Sequence, residues 1–340
     1  QTAYLKTYHK EDFIAATMST ELTNTSKLRE FVEELKRLKI EIIRPSINKC
    51  FADFKTEKNK IYYGLGAIKN VGYEAISNII KEREKNGKFT SLIDLINRVD
   101  AKDVNKLQLE GLVKAGVFDE FDDDRNKILT SIPKIIQKIK NINEDKINNQ
   151  TSLFESINNS ANDFDYVSSK KWAKKEQLSE EFKSLGFYLS DHPLNEYREV
   201  FGQLNIISYK DFLNNNQNEA LVAGTIMSIQ EKKSSKGTPF AIVKFSDNTG
   251  EFELFLFAEI LTSNRDKILE SESFVLTLYK DKLASDQSQR RVNIKKILSL
   301  TDLISKPYPK ITIEVNDNLN LNELKKILGN RGSTEVNLIV

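Results

Sequence analysis

Lys69-Asn70-Val71-Gly72 is the stretch whose residue types and spacing most directly suggest chemistry. It sits inside Leu65 to Ile80, which reads as a short helix, a tight hairpin and a longer helix. Such a hairpin points backbone N–H groups out at the start of its second helix. Those groups, with the helix dipole behind them, suit a phosphate and carry no preference for a base. The plainer alternative is a helix turn stopped by a glycine.

The segment resembles the helix-hairpin-helix motif, whose usual hairpin is glycine, hydrophobic, glycine. Asn70 stands where the first glycine would be, and Asn tolerates a left-handed backbone better than most residues. Leu109 to Phe118, with Gly111 and Gly116, reads as a second, degenerate copy packing against the first.

Two other segments have binding chemistry. Gln150-Thr151-Ser152-Leu153-Phe154 is a Gln-x-x-Leu-Phe peptide of the kind that docks in a sliding-clamp pocket. Gln150 can hydrogen-bond at the rim, and Leu153 and Phe154 supply the buried anchors. Its alternative is two apolar residues folding back on the neighbouring domain. Lys232, Lys233 and Lys236 follow a first strand, while Lys280, Lys282, Arg290 and Arg291 flank the loop before a last one. In a small OB barrel these two loops border a face that binds single-stranded nucleic acid. Phe240, Phe245, Phe252, Phe255 and Phe257 lie between them, most of them expected to fill the barrel.

Other features are discounted. Asp122-Asp123-Asp124 sits in a loop before a helix, where acids cap and complement the dipole rather than converge on a metal. His192 reads as a packed or capping residue, and Cys50 as buried and inert. One cysteine excludes an internal disulfide, and two histidines leave little for a metal site. No P-loop, no Gly-x-Gly-x-x-Gly after a strand and no Ser-His-Asp set is present, so no catalytic site is visible.

These segments need elements to hold them. At 340 residues the chain calls for two or three domains. It is 39% hydrophobic and 29% charged, with a net charge of +2, so any nucleic-acid contact must come from local patches. No apolar run reaches the roughly 20 residues of a membrane span. The first fifty residues read as helices ending in an extended Ile40 to Pro45. Short helices follow over Ala75 to Glu84, Leu92 to Arg98, Val104 to Ala115 and Ile128 to Ile142. Asn141 to Ser169 is rich in Asn, Ser and Asp and reads as a linker. Trp172 to Leu185 is a helix with Gly186 as its C-cap. Beyond Ala220 the period turns to two: strands over Leu221 to Ile229, Phe240 to Phe245 and Phe252 to Phe257, a helix over Ala258 to Leu269, and strands over Phe274 to Tyr279 and Arg291 to Ile297. Asp247 to Gly250 makes the hairpin between the second and third strands. The fold class is α+β and multidomain.

In this order the segments resemble the C-terminal part of the alpha subunits of bacterial DNA polymerase III, the replicative C-family polymerases. The resemblance rests on Gln1 to Lys6, Tyr63 to Gly72, Asn105 to Asp119, Leu185 to Leu194 and the barrel Val222 to Ile297, with Asp191 where the family usually has Gly. It implies a layout: residues 1–50 as the end of the helical fingers, 51–190 as a tandem helix-hairpin-helix clamp-binding domain with a flexible 141–169, 191–217 as a connector, 218–300 as an OB-fold, and 301–340 as the truncated start of an α/β C-terminal domain. It also implies partners: duplex and single-stranded DNA, the sliding clamp, and the clamp-loader and exonuclease subunits, in the cytoplasm and away from membranes. The nucleotidyl transfer and its Mg2+ ions would belong to a palm outside these residues, so this stretch alone is expected to be inactive and without a cofactor. The opening on Gln1 suggests a piece of something longer. The alternatives are a stand-alone repair or recombination accessory protein that binds nucleic acid, and a protein-interaction scaffold whose barrel binds peptides.

Overall fold

The chain divides into two units, Gln1–Asn195 and Glu196–Val340, each with its own hydrophobic core. The structure, a computed structural model, describes residues 2–147, 164–281, 291–305, 310–314, 328 and 334–339.

The first unit is mostly helical. The run that opens the chain breaks at His9 into α1 (Thr2–Tyr8) and α2 (Lys10–Thr20). The Asn24 side chain accepts from the Lys27 N–H and starts α3 (Thr25–Leu38), whose Leu28, Val32 and Leu35 are buried at helical spacing. A small sheet follows: β1 (Glu41–Ile43) runs parallel to β3 (Lys60–Tyr62), which pairs antiparallel with β2 (Lys55–Glu57). Lys58 and Asn59 join β2 to β3 with both φ angles positive, as a two-residue hairpin with the twist of its strands requires.

Then come α4 (Tyr73–Asn86), α5 (Leu92–Arg98), α6 (Lys106–Lys114), α7 (Arg125–Ile147) and α8 (Lys174–Leu185). α7 is longer than its apolar stretch predicts. It carries on to Ile147, and Phe164 returns to the same core, so both ends of the Asn-rich segment are ordered structure. Gly186 closes α8 at φ +84°, its N–H donating to the Phe182 carbonyl. A Cβ there would lie 2.1 Å from Thr25 Cγ2.

The second unit starts with α9 (Arg198–Gln203) and α10 (Tyr209–Asn214). Its sheet comprises β4 (Glu219–Lys233), β5 (Pro239–Asp247), β6 (Gly250–Phe257), β7 (Ser273–Lys280) and β8 (Val292–Ser299), with α11 (Ala258–Asn264) after β6. All ladders are antiparallel, in the order β6-β5-β4-β7-β8. The expected barrel is not closed. β6 and β8 approach within 8 Å between Cα atoms, but among the described residues no ladder joins them.

Phe245 and Phe252 stack at 5.6 Å over Gly224, where a Cβ would stand 3.0 Å from Phe252 Cζ; this close approach accounts for a glycine inside β4. The Asp247 carboxylate accepts from the N–H groups of Thr249 and Gly250 and shapes the β5–β6 turn. The end of the chain contributes α12 (Leu300–Ser305) and a parallel pair, β9 (Lys310–Glu314) with β10 (Glu335–Ile339).

Candidate nucleic-acid interface

The hairpin is built from one 3-10 turn, Leu65–Ala67, and a loop held on three sides. The Val71 N–H donates to the Ile68 carbonyl, which closes the turn, and Asn70 occupies the left-handed region at φ +65°. The side chain expected to replace glycine is thus the one that takes the glycine-like conformation. The Lys69 N–H donates to the Ser184 carbonyl at the end of α8. Ser184 Oγ donates in turn to the Gly111 carbonyl in α6. Gly111 lies directly under the loop: a Cβ there would stand 2.6 Å from the Lys69 carbonyl oxygen. Hairpin, α6 and α8 therefore lock one another.

The four expected residues do not face the same way. Lys69, Asn70 and Gly72 are exposed, whereas Val71 is buried and anchors the loop in the core. Gly72 is the N-cap of α4 with an ordinary φ of −70°, so what favours glycine there is space: Gln108 Nε2 would lie 3.3 Å from a Cβ. No side chain caps α4. Its first turn follows directly on the exposed Asn70 and Gly72, and the Lys69 ammonium has no ion pair among the described residues. Glu74 in the first turn complements the dipole. The geometry is an uncapped helix start, with the Lys69 ammonium lying by the C-cap of α8, 3.5 Å from where a Gly186 Cβ would stand.

The second turn, after α6, packs on the first through Gly111, but its helix start is closed by the chain itself. Asp124 Oδ1 accepts from the Lys127 N–H and caps α7. The Arg125 guanidinium covers Gly116, pairs with Asp119 at 2.6 Å and Glu181 at 3.6 Å, and donates to the Lys114 carbonyl. Burial opposes its charge, but Asp119 and Glu181 raise its pKa. Asp122 accepts from Lys127 Nζ at 2.8 Å, and Asp123 pairs with Lys171 at 2.6 Å. Burial works against the Asp122 carboxylate; Lys127 and the Asp124 N–H together hold it below the usual range.

His192 Nδ1 accepts from the Leu194 N–H and its ring meets Tyr188 edge-on, a capping and packing role. Burial and the nearby Lys36 charge lower its pKa to about 4. Burial pushes the Cys50 thiol up to about 11.

Gln150, Leu153 and Phe154 lie outside the described residues, as do Lys282 and Arg290. In the second unit Lys232 and Lys233 end β4, Lys236 follows in the loop, and Arg291 precedes β8; all four are exposed. Lys280 is instead occupied: its ammonium donates to the Asn215 carbonyl and lies over the Phe212 ring. Of the five phenylalanines only Phe245 and Phe252 are buried, while Phe255 and Phe257 are exposed. The alternation Phe252, Leu254, Leu256 inward and Glu253, Phe255, Phe257 outward was readable from β6 at period two.

The helix-hairpin-helix motif family matches residues 39–128, which include the hairpin, α4 and α6. The whole chain is similar to part of proteins named DNA polymerase III subunit alpha. That of Borreliella burgdorferi is 32% identical over 97% of this chain and 29% of its own length. Those of Caulobacter vibrioides and Buchnera aphidicola are 33% and 35% identical over 78% and 77% of this chain, each over 23% of its own length. The chain belongs to the DNA polymerase III alpha-subunit family. It spans less than a third of the alpha subunits it matches. Within that family the segment carries the helix-hairpin-helix module and an antiparallel sheet in a second unit. Among the described residues, no helix is long and apolar enough to cross a membrane.

Proposed function

We propose that this chain is the C-terminal part of a DNA polymerase III alpha subunit and serves that subunit by holding DNA and the sliding clamp during template-directed synthesis. The reading rests most on one observation: α4 begins uncapped at a hairpin whose backbone is pinned by Ser184 and packed on Gly111, and the same loop carries Lys69, exposed and without an ion pair among the described residues. That arrangement binds phosphate without reading sequence, as a processive enzyme requires. Gln150, Leu153 and Phe154 would tether the clamp, and the loops carrying Lys232, Lys233, Lys236, Lys282, Arg290 and Arg291 on an OB-type sheet would hold the single-stranded template. Clamp-loader and exonuclease subunits would assemble on the complete protein in the cytoplasm. Nucleotidyl transfer and its Mg2+ ions would lie on the palm of the complete subunit.

Binding of two duplexes of unrelated sequence to the chain tests the reading. Both should bind with equal affinity and weaken together as salt rises. A strong preference for one sequence, or a flat salt response, would overturn the hairpin's role. For the tether, Leu153→Ala with Phe154→Ala should weaken clamp binding by about 2 kcal/mol or more. An unchanged clamp affinity would remove it.

A further inference from the structure

In the small sheet of the first unit, ordered β1-β3-β2, β1 stands at an edge. Its register sets Ile43 beside Tyr62, and the Ile43 carbonyl accepts from the Tyr63 N–H. The peptide is trans, so the Arg44 N–H points the opposite way, off the sheet. By the same alternation the N–H and carbonyl of Ile42 face outward. Among the described residues none of these three groups has a hydrogen-bond partner. The Arg44 carbonyl, by contrast, accepts from the Cys50 thiol. The edge opens on a groove of about 580 Å³. Residues 41–46 line it without a gap, and so unbroken a run marks the backbone edge of a strand rather than one of its side-chain faces. A sheet edge left open in this way is a template for another strand.

Charge narrows the occupant. Each acid on the groove is already engaged. Glu41 pairs with Lys60 at 2.7 Å and Glu120 with Lys49 at 2.5 Å. Both Asp119 carboxylate oxygens accept from Arg125. Glu181 Oε1 accepts from the N–H groups of Leu189 and Ser190, and its Oε2 faces Arg125 at 3.6 Å. Arg44 is the exception. It is exposed and makes no ion pair among the described residues. One of its nitrogens donates to the Ser190 carbonyl at 2.8 Å, which leaves further N–H groups of the guanidinium fork. A strand laid on β1 with an acid beside Arg44 meets both demands. Magnitude points to its source. Three backbone groups and one cation offer too little to offset the freedom that a separate protein loses on docking. A segment of the same polypeptide has lost most of that freedom already. This chain spans less than a third of the alpha subunits it matches, so such a subunit has ample chain to supply one.

We infer that an extended segment of the alpha subunit, outside these 340 residues, adds to β1 as a fourth strand of this sheet and sets a carboxylate on Arg44. It accepts from the Ile42 and Arg44 N–H groups and donates to the Ile42 carbonyl. The inference rests on the chain's membership of a longer subunit and not on the hairpin or the clamp peptide, so it stands or falls apart from them.

The test is hydrogen exchange read at single amides, in the 340-residue chain and in the complete subunit. The Ile42 and Arg44 amides should exchange about tenfold or more slower in the complete subunit. Ile43, whose N–H faces β3, should be protected alike in both and serves as the standard. Ile42→Pro removes the outward N–H while β1 keeps its ladder, which uses Glu41 and Ile43. In the complete subunit it should return the Arg44 amide to its rate in the 340-residue chain, and an unchanged thermal midpoint of that chain checks the fold. Arg44→Gln keeps a donor for Ser190 but loses the charge, and should speed Ile42 exchange severalfold; it carries the test if proline upsets β1. Equal Ile42 and Arg44 rates in the two proteins would overturn the inference. So would slow exchange already present in the 340-residue chain, since the edge would then be filled from within. Arg44 protection that survives Ile42→Pro would mean cover without pairing and would overturn the strand. An Ile42 rate indifferent to Arg44→Gln would overturn the carboxylate.

Discussion

At the residue scale, Asn70 and Gly111 decide the hairpin. Asn70 was legible: an Asn in a glycine position predicts a left-handed backbone, and φ is +65°. Asn70→Gly should therefore leave stability intact, whereas Asn70→Val should cost about 1–2 kcal/mol in chemical denaturation. That the copy carrying Gly111 packs on the first was legible; how closely was not, because the contact is with the Lys69 carbonyl, which is remote in sequence. In a free helix Gly→Ala gains stability. Here the added methyl meets a backbone oxygen at 2.6 Å, so Gly111→Ala should instead cost about 1–3 kcal/mol and weaken duplex binding. His192 supplies a pH test. Its folded pKa, about 4, lies below the ordinary 6.5, so the unfolded chain binds the extra proton first. Stability is then fully present above about pH 6.5 and falls as pH drops toward 4, by on the order of 2 kcal/mol from this group. His192→Gln should flatten that part of the thermal-midpoint profile.

At the element scale, periodicity located most helices and all five strands of the larger sheet. α5 occupies its expected residues, Leu92–Arg98, because Ser91 caps it and its apolar residues are buried. Less was legible where elements depend on partners. β2 and β3 are not legible in the sequence because Lys58-Asn59 lacks a glycine, yet both residues adopt positive φ. β4 continues to Lys233 through a stretch that reads as a polar loop, since β5 supplies a ladder out to Lys233 opposite Pro239. Barrel closure depends on how β6 meets β8, which no local pattern encodes. Gly186 was legible as a cap from its position after a charged helix. Gly186→Ala adds a methyl 2.1 Å from Thr25 Cγ2 at φ +84°, so it should destabilise the first unit by more than the ~1 kcal/mol of a simple cap change.

At the scale of the whole molecule, the two units have separate cores, one drawn from residues 14–187 and the other from 212–297. Separate cores predict separate cooperative transitions. Calorimetry should resolve two, and residues 1–195 expressed alone should retain the higher duplex affinity, since they contain the hairpin, α6 and α8. One transition for the chain and an unfolded 1–195 fragment would mean the cores are not independent.

The central claim, that the Lys69–Gly72 hairpin grips a backbone phosphate, is tested most directly by the salt dependence of duplex affinity for the chain and for its Lys69→Ala variant. The account predicts that losing this one cation lowers the slope of log affinity against log salt by about one and weakens all duplexes alike. Coincident slopes and equal affinities for the two proteins would contradict it.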